Sequence, residues 1–181
     1  MAVLAIAFLY HENFSLTTTY YTLVDETIPS GFNDFRIVQL SDLHNTGFGV
    51  DQRDLLRKID EANPDIIVIT GDLIDSYVTN VDLAMELVEG AIEIAPVYYV
   101  EGNHEARLED PEELFKKLEA GGVTVLHDRR ISLKRGSSSI DLLGLSEPMF
   151  GFAYEGTSVL RETLQRLTEK TTTFTILLSH H

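Results

Sequence analysis

Four short apolar segments of this chain each end in residues that could bind metal ions. In chain order the segments end at Asp42-Leu43-His44, Gly71-Asp72, Gly102-Asn103-His104 and His180. Buried parallel strands are continuous runs of β-branched and aliphatic residues, and ligands of an open α/β sheet bind beyond the carboxyl ends of its strands. The pattern therefore predicts six polar side chains around one crevice: Asp42, His44, Asp72, Asn103, His104 and His180.

The residue types predict which ions this crevice would bind. Carboxylate, imidazole and amide ligands without thiolates suit divalent ions such as Mn²⁺, Fe²⁺ or Zn²⁺. Asp42 and His44 lie two residues apart on one turn and can point at one ion, whereas the two oxygens of Asp72 can bridge two ions. Asn103 and His180 would then serve the second ion. Two such ions can share a water, acidify it to hydroxide and stabilise an in-line displacement at phosphorus.

Each motif also has a plain structural interpretation. Asp42 and His44 fit a capping residue and a surface histidine, Gly71-Asp72 is a common turn, and the terminal histidines fit a tag. The third motif is more informative, because a histidine beside Asn103 at a strand end needs a reason. That histidine, His104, would act as general acid or hydrogen-bond donor to the leaving oxygen. Four such strand ends in chain order favour the metal site.

Taken together, the four motifs resemble the first four signature motifs of the calcineurin-like metallophosphoesterases. The similarity runs from about residue 36 to the last residue, and residues 39–44 and 70–75 are similar to the bacterial phosphohydrolases often found attached to membranes. The resemblance implies a dinuclear metal-dependent phosphohydrolase that cleaves phosphate mono- or diesters with a metal-bridging hydroxide. It also implies the ligand roles: Asp42 and His44 for the first metal, Asp72 as the bridge, Asn103 and His180 for the second, and His104 at the leaving group.

One departure from the family pattern leaves two explanations open. The fifth family motif, Gly-His-x-His, does not occur before the sequence ends at His181. That motif normally supplies one histidine to each metal, so each metal would lack one ligand and the fold would be incomplete at the C-terminus. The sequence is then either a fragment of a longer protein or a variant that completes its site with water or another chain. The alternative function is a catalytically weak or inactive metal-binding or interaction domain.

Composition limits the partners of the chain. It has 181 residues, 44% of them hydrophobic, and a formal net charge of −15, which indicates one globular domain with a sizeable core. Such an acidic chain has no basic surface for a phosphate backbone, so a small phosphorylated substrate is favoured over nucleic acid. There are no cysteines, which excludes disulfides and thiolate metal sites.

The patterning predicts an α/β fold, a layered β-sheet sandwich flanked by helices. Asp51 is the expected N-cap of the first helix, and residues 146–156 are expected to form a loop that either borders the crevice or lies elsewhere on the surface. The expected strands are 16–24, 35–40, 65–70, 97–100, 123–126, 131–133, 140–145 and 173–179, and the expected helices are 52–62, 80–94, 110–120 and 158–169.

The expected domain organisation is an N-terminal apolar extension, 1–15, followed by a truncated metallophosphoesterase domain, 16–181. Residues 2–10 are apolar but only about half as long as a membrane-spanning helix. They fit either the start of the domain or the remnant of a longer membrane anchor or export segment. The sequence therefore leaves open whether the protein is membrane-associated or cytoplasmic.

Overall fold

Two β-sheets form the centre of the molecule in the computed structural model, which describes residues 15–146, 155–169 and 171–181. The first sheet is parallel, with strand order β1-β2-β3-β4: β1 (Ile37–Leu40), β2 (Ile66–Thr70), β3 (Val97–Val100) and β4 (Thr124–Val125). The second sheet has the order β5-β6-β7: β5 (Arg129–Arg135), β6 (Ser138–Gly144) and β7 (Thr175–Leu178). β5 and β6 form an antiparallel hairpin, and β7 runs parallel to β6.

Helices connect the parallel strands. They are α1 (Arg53–Glu61), α2 (Val81–Ile94), α3 (Pro111–Ala120) and α4 (Glu155–Thr168), with short 3₁₀ helices at Ser30–Phe32, Val50–Gln52 and Glu105–Arg107. α3 begins as its sequence predicts: Pro111 occupies the first turn, and the Asp110 side chain accepts a hydrogen bond from the backbone N–H of Glu113.

The alternating side chains of β2 show how the layers are built. Ile67 and Ile69 pack with residues of α1, α2 and α3, whereas Ile66 and Val68 pack with residues of the second sheet. A third apolar cluster joins the second sheet to Leu167 of α4. The order of layers is therefore helices, parallel sheet, mixed sheet and helix, which confirms the predicted α/β sandwich.

Three local predictions need correction or lie outside the described residues. Residues 16–24 are not a strand; they are largely exposed and pair with no described strand, because strand propensity alone does not supply a neighbouring strand. The N-cap of α1 is Gln52, not Asp51, and the buried Gln52 amide instead bonds the backbone of Thr46 and Phe48. Most of the expected loop, 147–154, lies outside the described residues, and α4 begins at Glu155, earlier than predicted.

The predicted N-terminal extension lies almost entirely outside the described residues, so its boundary stays a prediction. Within the described ranges, no helix is both long enough and apolar enough to cross a bilayer.

Candidate metal centre

The loops after β1 and β2 stay hydrogen-bonded to each other beyond the strands. The backbone N–H of Asp42 donates to the Gly71 carbonyl at 3.2 Å, and that of His44 donates to the Asp72 carbonyl at 2.9 Å. Asp42, His44 and Asp72 all have left-handed backbone angles, with φ of 56°, 46° and 51°, which aspartate and histidine adopt more often than most residues. The tight turns bring their side chains to the same edge of the sheet.

The Asp72 carboxylate lies at the centre of the predicted residues. Its Oδ2 is 3.5 Å from Nε2 of His44, 3.5 Å from Nε2 of His180 and 4.0 Å from Nε2 of His104. The side chain of Asp72 is only 4% exposed, whereas that of Asp42, whose Oδ1 lies 3.8 Å from His44 Nε2, is 59% exposed. The cluster is therefore buried around Asp72 and open at Asp42.

These residues form two groups that could each hold a cation. One group is His44, Asp72 and His104, and the other is Asp42, Asp72 and His180; within each group the ligand atoms lie within 4.8 Å of one another. Asp72 belongs to both. Two carboxylates and several imidazoles with a shared carboxylate are the donor set of a divalent transition-metal site, so the residues present fit such ions.

A glycine contact allows the loops after β2 and β3 to approach this closely. Gly71 has a φ of +82°, and a Cβ built on it would lie 2.6 Å from the Cα of Gly102 and 2.7 Å from Nδ1 of His180. A larger residue would be strained by its backbone and would also collide with both neighbours. Gly71 and Gly102, which precede Asp72 and Asn103, therefore allow the two loops to approach each other at the site.

Glu105 hydrogen-bonds to both of the loops that follow β2 and β3. Its carboxylate accepts hydrogen bonds from the backbone N–H groups of Asp72 at 2.9 Å, Ile74 at 3.0 Å and Gly102 at 2.8 Å. The side chain is fully buried; burial raises the pKa of Glu105, and the three backbone donors oppose that rise. In addition, the backbone N–H of His104 donates to Oδ1 of Asp72 at 2.9 Å. The orientation of Asp72 is thus determined by backbone groups on both loops.

Hydrogen bonds assign different tautomers to His104 and His180. The backbone N–H of Ser76 donates to Nδ1 of His104 at 3.0 Å, so the neutral ring carries its proton on Nε2. Nδ1 of His180 lies 2.9 Å from the Thr70 carbonyl, which can only accept, so this ring carries its proton on Nδ1. His104 Nε2 is consequently a donor in this tautomer, which leaves His44 and Asp72 as the cation-binding members of its group, whereas His180 Nε2 presents a lone pair for a metal.

Asn103 and Arg107 contact each other beside the cluster. With oxygen and nitrogen of the amide assigned by hydrogen bonding, the Asn103 oxygen accepts from Arg107 Nη1 at 2.8 Å and Nη2 at 3.2 Å. That oxygen is the atom expected to bind the second metal, so the ligand role of Asn103 stays a prediction.

Asp75 also lies among the imidazoles. Its Oδ2 is 3.9 Å from Nδ1 of His44 and 4.0 Å from Nδ1 of His104. Backbone N–H groups of Tyr77 and Val78 donate to Oδ1 and lower the pKa of Asp75. At these distances Asp75 adds negative charge beside both rings but forms no hydrogen bond with either.

The sequence model of the calcineurin-like phosphoesterases matches residues 35–181. The chain belongs to this family. The family name describes phosphoester hydrolysis, and the residue types of the cluster around Asp72 are ones that could hold a metal ion.

Curated relatives of this chain are named as metallophosphoesterases or as proteins with a metallophosphoesterase domain. An uncharacterized metallophosphoesterase of Bacillus subtilis, YkuE, is 33% identical over 178 residues, which are 94% of this chain and 59% of that protein. A Danio rerio transmembrane protein with a metallophosphoesterase domain is 32% identical over 124 residues, 67% of this chain and 28% of that protein. The chain therefore spans about three fifths of the first relative and about a quarter of the second.

Solved structures share the fold at low identity. TT1561 of Thermus thermophilus has a TM-score of 0.62 at 15% identity, over 79% of this chain and 66% of that chain. The phosphopantetheinyl hydrolase PptH of Mycobacterium tuberculosis has a TM-score of 0.52 at 14% identity, over 80% of this chain and 67% of that chain. These similarities support the fold of this chain.

Sequence reasoning located the centre of the site but missed residues around it. The structure brings together Asp42, His44, Asp72, His104 and His180. Glu105 and Asp75 received no role, although Glu105 directly follows His104 and Asp75 lies three residues after Asp72. Their closeness to these motifs in the sequence is the signal that could have identified them. The atoms they contact are backbone N–H groups and ring nitrogens on other loops, which no local pattern reveals.

Proposed function

We propose that this chain hydrolyses phosphate mono- or diesters with two divalent cations that share the carboxylate of Asp72. The observation that carries the proposal is the position of this buried group, whose Oδ2 lies 3.5 Å from both His44 Nε2 and His180 Nε2. Asp42, His44, Asp72 and His180 would hold the cations, with Asn103 as a further ligand. Such cations supply Lewis acidity, which favours water as a nucleophile and neutralises charge on the phosphoryl oxygens.

His104 would act at the leaving group. Its Nδ1 accepts the backbone N–H of Ser76, so Nε2 carries a proton directed toward the cluster, 4.0 Å from Asp72 Oδ2. A donor in that position can hydrogen-bond the leaving oxygen as negative charge develops and transfer the proton to it. His104 therefore supports catalysis from beside the cation ligands.

The charge of the chain favours a small substrate. At a net charge of −15, a long polyanion would be repelled by most of the surface, whereas a single phosphoryl group would meet the bound cations first. We therefore expect small phosphorylated compounds rather than nucleic acid.

The test is hydrolysis of 4-nitrophenyl phosphate and bis(4-nitrophenyl) phosphate with Mn²⁺, Fe²⁺ or Zn²⁺, together with elemental analysis of bound metal. Two ions per chain and activity are expected for the wild type. Asp72→Asn should lose both, whereas His104→Gln should keep the ions and lose about 10²- to 10⁴-fold in kcat. Asp82→Asn, a change at an exposed carboxylate of α2, is the control.

Activity that survives Asp72→Asn would overturn the proposed mechanism. If the protein contained no metal and showed no hydrolysis, it would instead be the inactive interaction domain that the sequence left open.

A further inference from the structure

An exposed aromatic side chain lies beside the proposed proton donor. Tyr77 is 83% exposed, and the centroid of its ring is 6.0 Å from that of His104, with the two planes at 79°. The next residue, Val78, is also exposed. Single exposed apolar residues are common, but Tyr77 lies next to a residue that we place at the leaving group.

The turn that carries Tyr77 is held at both ends. Oδ1 of Asp75 accepts the backbone N–H groups of Tyr77 at 2.7 Å and Val78 at 3.1 Å. Oδ1 of Asn45 accepts the backbone N–H groups of Asp75 at 2.8 Å and Asn80 at 3.1 Å. The Tyr77 ring is therefore presented on a fixed backbone, so binding a ligand against it would cost little ordering entropy.

The same turn determines where the leaving group would lie relative to Tyr77. Ser76, the residue before it, donates its backbone N–H to Nδ1 of His104. The His104 ring is thus hydrogen-bonded to the backbone of the turn that carries Tyr77. Because the Tyr77 ring is only 6.0 Å from that of His104, an alcohol that extends along the His104 ring from a leaving oxygen at Nε2 would approach Tyr77.

From these contacts we infer that Tyr77 forms a subsite for the leaving group, and that the substrate is a phosphate ester of an uncharged alcohol with a planar aromatic group. This inference rests on the proposed function. An aromatic ring packs against Tyr77 by offset or edge contacts, and an uncharged group avoids repulsion by the acidic chain.

The experiment compares calorimetric binding of phenylphosphonate and methylphosphonate to the Mn²⁺-loaded protein. Wild type should bind phenylphosphonate more tightly. Tyr77→Ala should reduce the ratio of the two dissociation constants about 3- to 10-fold. Tyr77→Phe should retain the preference because it keeps the ring, and Tyr21→Ala, which removes another exposed tyrosine, should retain it as well.

An equal change for both phosphonates in Tyr77→Ala, or no change, would overturn the subsite, as would loss of the preference in Tyr77→Phe. A wild type without preference for the phenyl compound would do the same. Failure of the proposed function has a different signature, which is hydrolysis unaffected by Asp72→Asn. The subsite and the cation site are therefore tested separately.

Discussion

The two sheets contribute to the candidate metal centre in different ways. The parallel sheet supplies three neighbouring strand ends that are joined to each other by backbone hydrogen bonds and by the buried Glu105. The mixed sheet supplies His180 at the end of β7, whose side chain is tied to the parallel sheet by its contact with the Thr70 carbonyl. The first contribution is built into one sheet, and the second depends on how two sheets pack.

This difference predicts which substitutions should lower both stability and metal affinity, and which should lower metal affinity alone. Changes at the strand ends of the parallel sheet should cost both stability and metal affinity, because the same backbone groups hold the fold and the ligands. Changes at His180 should cost metal affinity and little stability. The following variants test that distinction.

The largest effect is expected for Gly71→Ala. The added Cβ would lie 2.6 Å from Gly102 Cα and 2.7 Å from His180 Nδ1, well inside van der Waals contact, and the backbone at φ +82° would be strained. Together these costs should lower the free energy of unfolding by about 3 kcal/mol or more, as measured by urea denaturation. Gly136→Ala is the matched control, because it shares a positive φ of 62° but has nothing within 4 Å, and should lose only about 1–2 kcal/mol. Equal losses would show that the contact between the loops is unimportant.

Glu105→Gln should have the next largest effect. One carboxylate oxygen becomes an NH₂ group that faces a backbone N–H, which leaves a buried donor unsatisfied and should cost about 1–3 kcal/mol. Unfolding without cations should report this loss, and a Mn²⁺ titration should show weaker binding because Asp72 is less well oriented. Glu109→Gln, at an exposed residue of the same segment, should change neither quantity. Unchanged stability in Glu105→Gln would refute its role as a brace.

For the mixed sheet, His180→Gln should separate affinity from stability. Loss of the imidazole should weaken Mn²⁺ binding at least about 10-fold, whereas the unfolding free energy without cations should fall by no more than about 1 kcal/mol, the usual net value of one hydrogen bond. His181→Gln removes the neighbouring imidazole and should bind Mn²⁺ normally. A large loss of stability in His180→Gln would contradict the proposed difference between the two sheets.

The smallest effect concerns a polar contact at the edge of the parallel sheet. Glu101 Oε1 lies 3.3 Å from His127 Nδ1, and its hydrogen bond raises the pKa of His127 above the usual 6.5. Because the folded-state pKa is the higher one, the stabilisation is complete below pH 6.5 and is lost as pH rises through the folded-state value. It should amount to less than about 1 kcal/mol, since the histidine side chain is 48% exposed.

The check is the urea midpoint at pH 6 and pH 8 for wild type and His127→Gln. The wild type should lose more stability than the variant between these two pH values. An identical change in both proteins would mean that the contact contributes nothing measurable.

Much of the fold could be predicted from the sequence because its signals are local. Asp110-Pro111 begins α3 as expected, and the apolar runs that end at Asp42 and Asp72 are strands. The prediction for residues 16–24 was wrong because their β-branched and aromatic composition describes a preference, whereas a strand also needs a partner. The predicted N-cap of α1 was wrong because Gln52 occupies that position instead of Asp51. The two backbone hydrogen bonds of the Gln52 side chain are not visible in the composition.

For the site, residue types at strand ends were enough to bring Asp42, His44, Asp72 and His104 into one cluster, because parallel strands end at the same edge of a sheet. The packing of the second sheet decided the rest. His180 reaches Thr70 across 110 residues of chain, Glu105 collects backbone donors from two loops, and Ser76 sets the tautomer of His104. Those relations depend on distances between segments that are remote in sequence, and only the folded chain defines such distances.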